Sequence, residues 1–406
     1  MPLVIFVAPW FSEFAAHSID ALAGLDGVRV ALISQEPLES LQSPLRDRVA
    51  AHWRISDAFD AAQITDAAHA LSRRLGPVHR LIGVLEQAQV AIAEARERLG
   101  VAGMGAEAAR NFRDKARMKT LLREAGVPCA RHRLAASEAE AFAFAAEVGY
   151  PLVVKPPAGA GSVSTFRVDD DAALGDALRV SAPDAHNPAL LEEFITGEEH
   201  SFETMSLDGH AVWHSLTRYY PTPLEVMRNP WIQWCLLLPR EIDDARYDDI
   251  RRAAARALQV LGMDTGLSHM EWFRRADGTV AISEVGARPP GAQITTMNSR
   301  AHDIDFMAAW ARLMVYGEFA PPERRYAVGA AFLRGQGRGE VRAVHGLEEA
   351  QQEFGHLFTD VKLPREGQTP SSSYEGEGYV ILRHPDTFVV EQALSRLVSL
   401  IRVELG

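Results

Sequence analysis

Glu271 and Glu284 stand thirteen residues apart in the stretch HMEWFRRADGTVAISEVGARPPGAQI, each on an apolar run. Asp277-Gly278 between them reads as a turn, so the stretch predicts two strands that bring the carboxylates side by side. Two converging carboxylates on an apolar strand pair are costly to bury unless a cation neutralises them. Mg²⁺ shared with nucleotide phosphates fits, because it takes hard oxygen ligands. Arg288, four residues past Glu284, has the fork geometry for a transferring phosphoryl group or a carboxylate. The plainer reading is a surface hairpin with an exposed arginine, against which Ile282 and Val285 beside Glu284 argue. Strand alternation puts His269 on the face of Glu271, either toward a pocket or packed and hydrogen-bonded.

Three other stretches carry chemistry-bearing residues. In VVKPPAGAGSVST a strand delivers Lys155, and a small-residue segment with Gly161, Ser162 and Ser164 follows. Small residues let backbone N–H groups approach a phosphate, and a lysine adds charge. The lysine precedes the glycines, so this is not a Walker A segment, and alone it reads as readily as a Gly-rich hairpin. In LLEEFITGEEH a strand ends in Glu192 and Glu193, then Phe194 and Ile195, with Glu198 and Glu199 after Gly197. Acids at a strand end accept from ribose hydroxyls and neighbouring backbone groups read an adenine edge; a solvated charged turn is the alternative. The stretch HSLTRYYPTPLEVMRNPWIQWCLLLP combines Arg218, Tyr219, Arg228, Trp231 and Trp234 with prolines. It suits a small-molecule pocket with a carboxylate anchor, or a proline-kinked loop over a sheet. Arg334 is a further candidate for that pocket, and Gly291 of Pro-Pro-Gly for shaping the chain beside it.

These segments need elements to position them. The first hundred residues alternate strand and helix: strands at 3–9, 28–34 and 80–86, with helical stretches at 12–24, 57–76 and 87–100. That pattern predicts a parallel sheet with helices on its faces. The first turn, APWFSEF, lacks GxGxxG, which excludes a nicotinamide-binding reading of this lobe. A helix-rich bridge over 107–126 follows, and Ser137 with Glu140 has capping-box spacing ahead of another helix. After Gly197 the chain reads as antiparallel strands, then a helix before the acid hairpin, strand-like AVGAAFLRG and YVILRH, and a final helix over 387–405. The expected domains are 1–105, a Rossmann-like parallel sheet; 106–195, linker helix and lid; 196–320, a central lobe; and 321–406, a C-terminal α/β lobe.

Composition bounds the function. With 406 residues, 47% hydrophobic and 24% charged, the chain has material for two or three lobes. A net charge of −12 ranks nucleic acid low as a partner. Cys129 and Cys235 stand apart from any Cys/His cluster, which argues against structural zinc and against a disulfide scaffold. MPLVIFVAPW lacks a basic leader region, and no long apolar run occurs, so the expectation is a cytoplasmic protein without membrane contact.

The order Lys115, Lys155 with its Gly-rich loop, Glu192–Glu199, Glu271, Glu284 and Arg288 resembles the ATP-grasp superfamily, in its carboxylate–amine ligase branch, which includes the L-amino acid ligases. The resemblance covers roughly residues 1–320 and implies an α/β chain with α+β lid and central lobes: the ATP-grasp fold with an N-terminal Rossmann-like domain. It implies that Lys115 and Lys155 are phosphate lysines, and that 158–164 closes over the phosphates. Glu192, Glu193, Phe194 and Ile195 would form the adenine-reading hinge, and Glu199 would bind ribose. Glu271 and Glu284 would hold Mg²⁺, with Mn²⁺ as a substitute, and Arg288 would steady an acyl phosphate. Many members carry an asparagine where this chain has Gly286, so the second metal site is in doubt. The continuation PPGAQITTMN lacks the polar, acidic segment of biotin carboxylases, which ranks bicarbonate low.

The activity so implied is ATP-dependent joining of a small carboxylate to an amine through an acyl phosphate, with ADP and phosphate released and an amino acid among the substrates. A purine-pathway-like ligase or transformylase, and a non-catalytic ATP-binding regulator, are the alternatives. The resemblance leans to a homodimer.

Overall fold

The computed structural model describes residues 1–158, 165–229 and 232–406. Gly161, Ser162, Ser164 and Trp231 lie outside the described residues.

The N-terminal lobe is a parallel sheet of β1 (Leu3–Val7), β2 (Arg29–Ser34), β3 (Ala51–Arg54) and β4 (Val78–Ile82), in the order β3-β2-β1-β4. Every side chain of β1 is buried, as a parallel strand with helices on both faces requires. β3 is not legible in AHWR, which is half polar and sits at the sheet edge. The third strand expected over 80–86 stops at Ile82; beyond it the chain turns through a short helix, Glu86–Ala88.

The bridge is two helices, Ala106–Arg113 and Lys115–Glu124, broken at Asp114. The Asp114 side chain accepts from the N–H groups of Ala116 and Arg117, so it caps the second helix and puts Lys115 at its first position. The lid is an antiparallel sheet of β5 (His132–Ala135), β6 (Leu152–Lys155), β7 (Phe166–Val168) and β8 (Ala189–Glu193), ordered β5-β8-β6-β7. Two helices cover it, Glu138–Val148 and Asp171–Ser181. Ser137 Oγ accepts from Glu140 N, while the Glu140 carboxylate reaches back to Ala136 N at 2.8 Å.

The centre is one eight-stranded antiparallel sheet. It holds β9 (Glu198–Leu207), β10 (His210–Tyr220), β11 (Trp234–Leu238), β12 (Gly266–Arg274), β13 (Val280–Gly286) and β14 (Ala327–Leu333). After β15 (Gly335–Gly337) and β16 (Val341–His345), the chain returns as β17 (Phe358–Lys362) and β18 (Gly378–His384) to complete the order β13-β12-β9-β10-β11-β14-β18-β17. Strands on both sides of residue 321 thus share one sheet. The final helix spans Thr387–Leu400 only; residues 402–405 form β19, paired parallel to β15 and antiparallel to β16. Sheet partners remote in sequence override the helical reading of IRVEL there.

One face of the central sheet is covered by the bridge helices and the helix Asp248–Leu261 around β9, β12 and β13, and by the C-terminal helix around β14 and β18. On the other face, the helix Ile294–His302 covers β11 and β14, and the space toward the lid is left as a cavity. No helix among the described residues is long and apolar enough to cross a membrane. Cys129 and Cys235 are free thiols.

Candidate active site

The acid hairpin forms as β12 and β13, with Glu271 directly opposite Glu284. The register slips by one residue between this pair and Trp272–Ile282, leaving Ser283 as a bulge. In a regular strand Ile282 and Val285, three apart, would face opposite ways. Here both join the same buried cluster, while Ser283 and Glu284 both line the cavity. Lys119, fully buried, donates from Nζ to the Ser283 carbonyl at 2.7 Å and thereby holds the bulge from beneath.

The cavity, of about 730 Å³, lies between lid, central sheet and N-terminal lobe. Lys115, Lys155, Glu192, Glu193, Phe194, Ile195 and Glu199 line it at the lid side. His269, Glu271, Glu284, Arg288, Gly291, Tyr219 and Trp234 line it from the central sheet and the segment after β13. Two expected residues are not among these. Arg218 alternates with Tyr219 along β10 and so falls on the covered face of the sheet, where Nη2 donates to the Tyr247 hydroxyl at 2.7 Å. Arg334 is buried and donates from Nη1 to the carbonyls of Val226 and Ile232, bracing the segment it was expected to assist.

Several charges in the cavity are paired. Lys115 Nζ meets Glu284 Oε1 at 2.6 Å. Burial alone would push the Glu284 carboxyl up, but Lys115 and Lys155 outweigh it and bring its pKa down to about 2. Glu192 is ion-paired on both sides, with Lys155 Nζ at 3.0 Å and Lys119 Nζ at 3.4 Å. Burial opposes its charge too, and the two lysines hold its pKa below the usual range. For Glu199 the balance is reversed: burial, and then the charge of Glu271, outweigh Lys155 and raise its pKa well above the usual carboxylate value. The Glu193 side chain is committed to Arg131 at 2.6 Å and Arg275 at 3.0 Å, and its backbone N–H donates to the Arg131 carbonyl at 3.0 Å. Arg167 lies over the Phe194 ring at 4.5 Å.

His269 Nδ1 stands 2.9 Å from Glu203 Oε1, and Nε2 stands 3.9 Å from Glu271 Oε1. Burial pulls its pKa down, but the two acids outweigh it and bring it up to about 9. Glu203 is fully buried and also accepts from Ser201 and Thr217.

Four of these residues were not legible in the sequence. Lys119 and Glu203 lack any local motif; they matter through partners that are distant in the chain. Glu86 comes from the N-terminal lobe, lines the cavity and accepts from Arg288 Nε at 2.8 Å. Tyr374 arrives from the segment between β17 and β18. Glu86 also crowds Gly286: a Cβ there would lie 3.0 Å from Glu86 Oε2, a tight contact to which the Glu86 carboxylate would have to yield.

The donor set fits Mg²⁺. Glu271 and Glu284 offer hard oxygens from adjacent strands, and among the described residues no group of three or more His, Cys, Asp and Glu is gathered for an ion. Two carboxylates completed by phosphate oxygens and water is the usual manner of holding Mg²⁺.

Residues 120–302 match the model of the ATP-grasp domain. The chain is similar to the L-arginine-specific L-amino acid ligase of Bacillus subtilis, 25% identical over 72% of this chain and 70% of that one. It is similar to the D-alanine–D-alanine ligase of Stutzerimonas stutzeri, 28% identical over 50% of this chain and 65% of that one. In structure it resembles the L-amino acid ligase of Bacillus licheniformis, with a TM-score of 0.76 at 21% identity, covering 100% of this chain and 99% of that one. Residues 120–302 are an ATP-grasp domain, and the chain around them has the ATP-grasp fold.

Proposed function

We propose that the protein is an ATP- and Mg²⁺-dependent, ADP-forming ligase that joins a small carboxylate, an amino acid among its substrates, to an amine. The observation that carries this reading is the convergence of Glu271, Glu284, Lys115, Lys155 and Arg288 on one cavity. The ligases to which the chain is similar agree with it.

Adenine would lie against the hinge Glu193–Ile195, and Lys115 and Lys155 would take the phosphates. Glu271 and Glu284 would hold Mg²⁺, which supplies neutralisation of phosphate charge when bound. A substrate carboxylate oxygen attacks the γ-phosphorus, the bond to the β-phosphate oxygen breaks, and ADP leaves. The amine nitrogen then attacks the acyl carbon, the bond from that carbon to the phosphate oxygen breaks, and the nitrogen's proton goes to the departing phosphate. Arg288 stabilises the charge that develops on the transferring phosphoryl and acyl oxygens. His269, held by Glu203, would orient Glu271 beside it. Exclusion of water from the cavity during turnover would protect the acyl phosphate.

ADP release with Mg-ATP, pooled carboxylates and hydroxylamine tests this. Carboxylate-dependent ADP with hydroxamate, lost in Glu284→Ala, is the expected result. ATP binding without ADP formation in any carboxylate and amine mixture would overturn it in favour of a non-catalytic ATP-binding protein.

A further inference from the structure

The end of the cavity beyond Arg288 differs in character from the lid end. Tyr219, Leu224, Trp234, Ala292, Ile294 and Tyr374 line it, drawn from β10, the helix Pro223–Arg228, β11, the segment after β13, the start of the helix Ile294–His302, and the C-terminal segment. Trp234 is the hub. Its ring meets Tyr374 edge-on at 4.7 Å and Tyr219 edge-on at 5.7 Å, and stacks on Phe332 at 5.1 Å. Its indole N–H is already used, donating to the Pro221 carbonyl at 3.0 Å. The hub itself is packed, with Trp234 only 2% exposed, so at this end Tyr374 and Leu224, both half-buried, are the residues that keep surface open to an approaching ligand. Glu225 and Arg228, the charged residues of the short helix that line the cavity, are exposed.

This apolar end adjoins the reacting groups. Tyr219 and Tyr374 line the same cavity as Glu271 and Arg288. The backbone there is also held. Ala292 and Gln293 are consecutive non-glycine residues at φ of 51° and 58°, a conformation that persists only where surroundings impose it. Glu375, next to Tyr374, accepts from Ala292 N at 3.2 Å. One segment, between β17 and β18, thus supplies a wall of the pocket and braces its floor.

We infer that this end of the cavity is a side-chain pocket for a carboxylic acid substrate with an aromatic or large aliphatic side chain, and that Tyr374 sets its size. The inference deepens the ligase reading, and rests on it for the statement that the occupant is a substrate.

The test uses the full chain with Mg²⁺ and a non-hydrolysable ATP analogue. L-phenylalanine, L-leucine, glycine and L-aspartate are titrated by calorimetry, and ADP release with hydroxylamine is measured for the same acids with ATP. Phenylalanine and leucine are expected to bind at least ~10-fold tighter than glycine and aspartate. Tyr374→Ala should change the ratio of phenylalanine to glycine affinity by ~10-fold, whereas Tyr374→Phe should keep the native order. Should Tyr374→Ala fail to fold, Tyr374→Leu replaces it. Equal or tighter binding of glycine or aspartate would overturn the pocket, as would a Tyr374 variant that scales every acid alike. Apolar preference in binding without ADP in any mixture would leave the pocket standing and remove the ligase reading. ADP formed from small or charged acids alone would do the reverse.

Discussion

Arg288 and Glu86 meet across the boundary between the central sheet and the N-terminal lobe, with Nε donating to Oε2 at 2.8 Å. The two are 202 residues apart, and Glu86 is 8% exposed, so the contact is a buried tie between lobes. The arginine that would face the transferring phosphoryl group is aimed by an acid outside the matched domain. Glu86→Gln keeps the shape and removes the charge. We expect kcat for hydroxamate formation to fall ~10- to 100-fold, with KM for ATP changed less than ~3-fold, because only transition-state positioning is lost. Steady-state kinetics check this, and an equal loss in both constants would refute it.

Lys119 pins the bulge that turns Glu284 into the cavity, and it shares Glu192 with Lys155. Lys119→Met retains the stem and removes the donor. The variant should unfold in urea with a stability loss of about 2–3 kcal/mol, the worth of a buried charged hydrogen bond. It should also bind Mn²⁺ with nucleotide ~10-fold more weakly, by paramagnetic resonance titration, since Glu284 loses its support. Unaltered metal affinity would show that the bulge holds without the lysine.

His302 gives an acid-sensitive contribution remote from the hairpin. It is buried, donates from Nδ1 to the Glu323 carbonyl at 2.9 Å, and is faced by Arg324. Burial, then the Arg324 charge, lower its pKa from 6.5 to about 4. Below pH 6.5 the unfolded chain takes a proton that the folded one refuses, so stability falls as pH drops from 6.5 toward 4. The loss is up to about 3 kcal/mol for this residue. Urea unfolding from pH 7 to 4 should show a shallower slope in His302→Gln.

Arg218 provides the contrasting case, a cation near the cavity in sequence and away from it in space. Arg218→Met should leave hydroxamate kinetics within ~2-fold and reduce stability by about 1–2 kcal/mol through the lost bond to Tyr247. A large rise in KM for the carboxylate would return Arg218 to the substrate pocket.

The legible part of the site was the local part. Glu271 and Glu284 announce a hairpin because a turn and two apolar runs lie within one short window, and strand alternation follows from there. Lys155 and Glu192 are readable for the same reason, as ends of adjacent lid strands. Arg218 and Tyr219 show the limit of such reading: either parity was available until the sheet chose which face to cover. Glu86, Lys119 and Tyr374 were not legible, because each acts through a partner at least a hundred residues away. β11, although apolar throughout, was obscured by the proline-rich approach to it, and β19 by the helical run before it.

The central sheet passes without a break from β11 to β14, across residue 321. Removing everything after that residue would therefore not release a free-standing appendage. It would bare the backbone edge of WCLLL, five buried residues with no charge among them. Such an edge is a template for other chains. Proteolytic nicking or truncation there should yield insoluble aggregate rather than a trimmed, ATP-binding fragment, and the C-terminal segment is better regarded as the protein's guard against its own polymerisation.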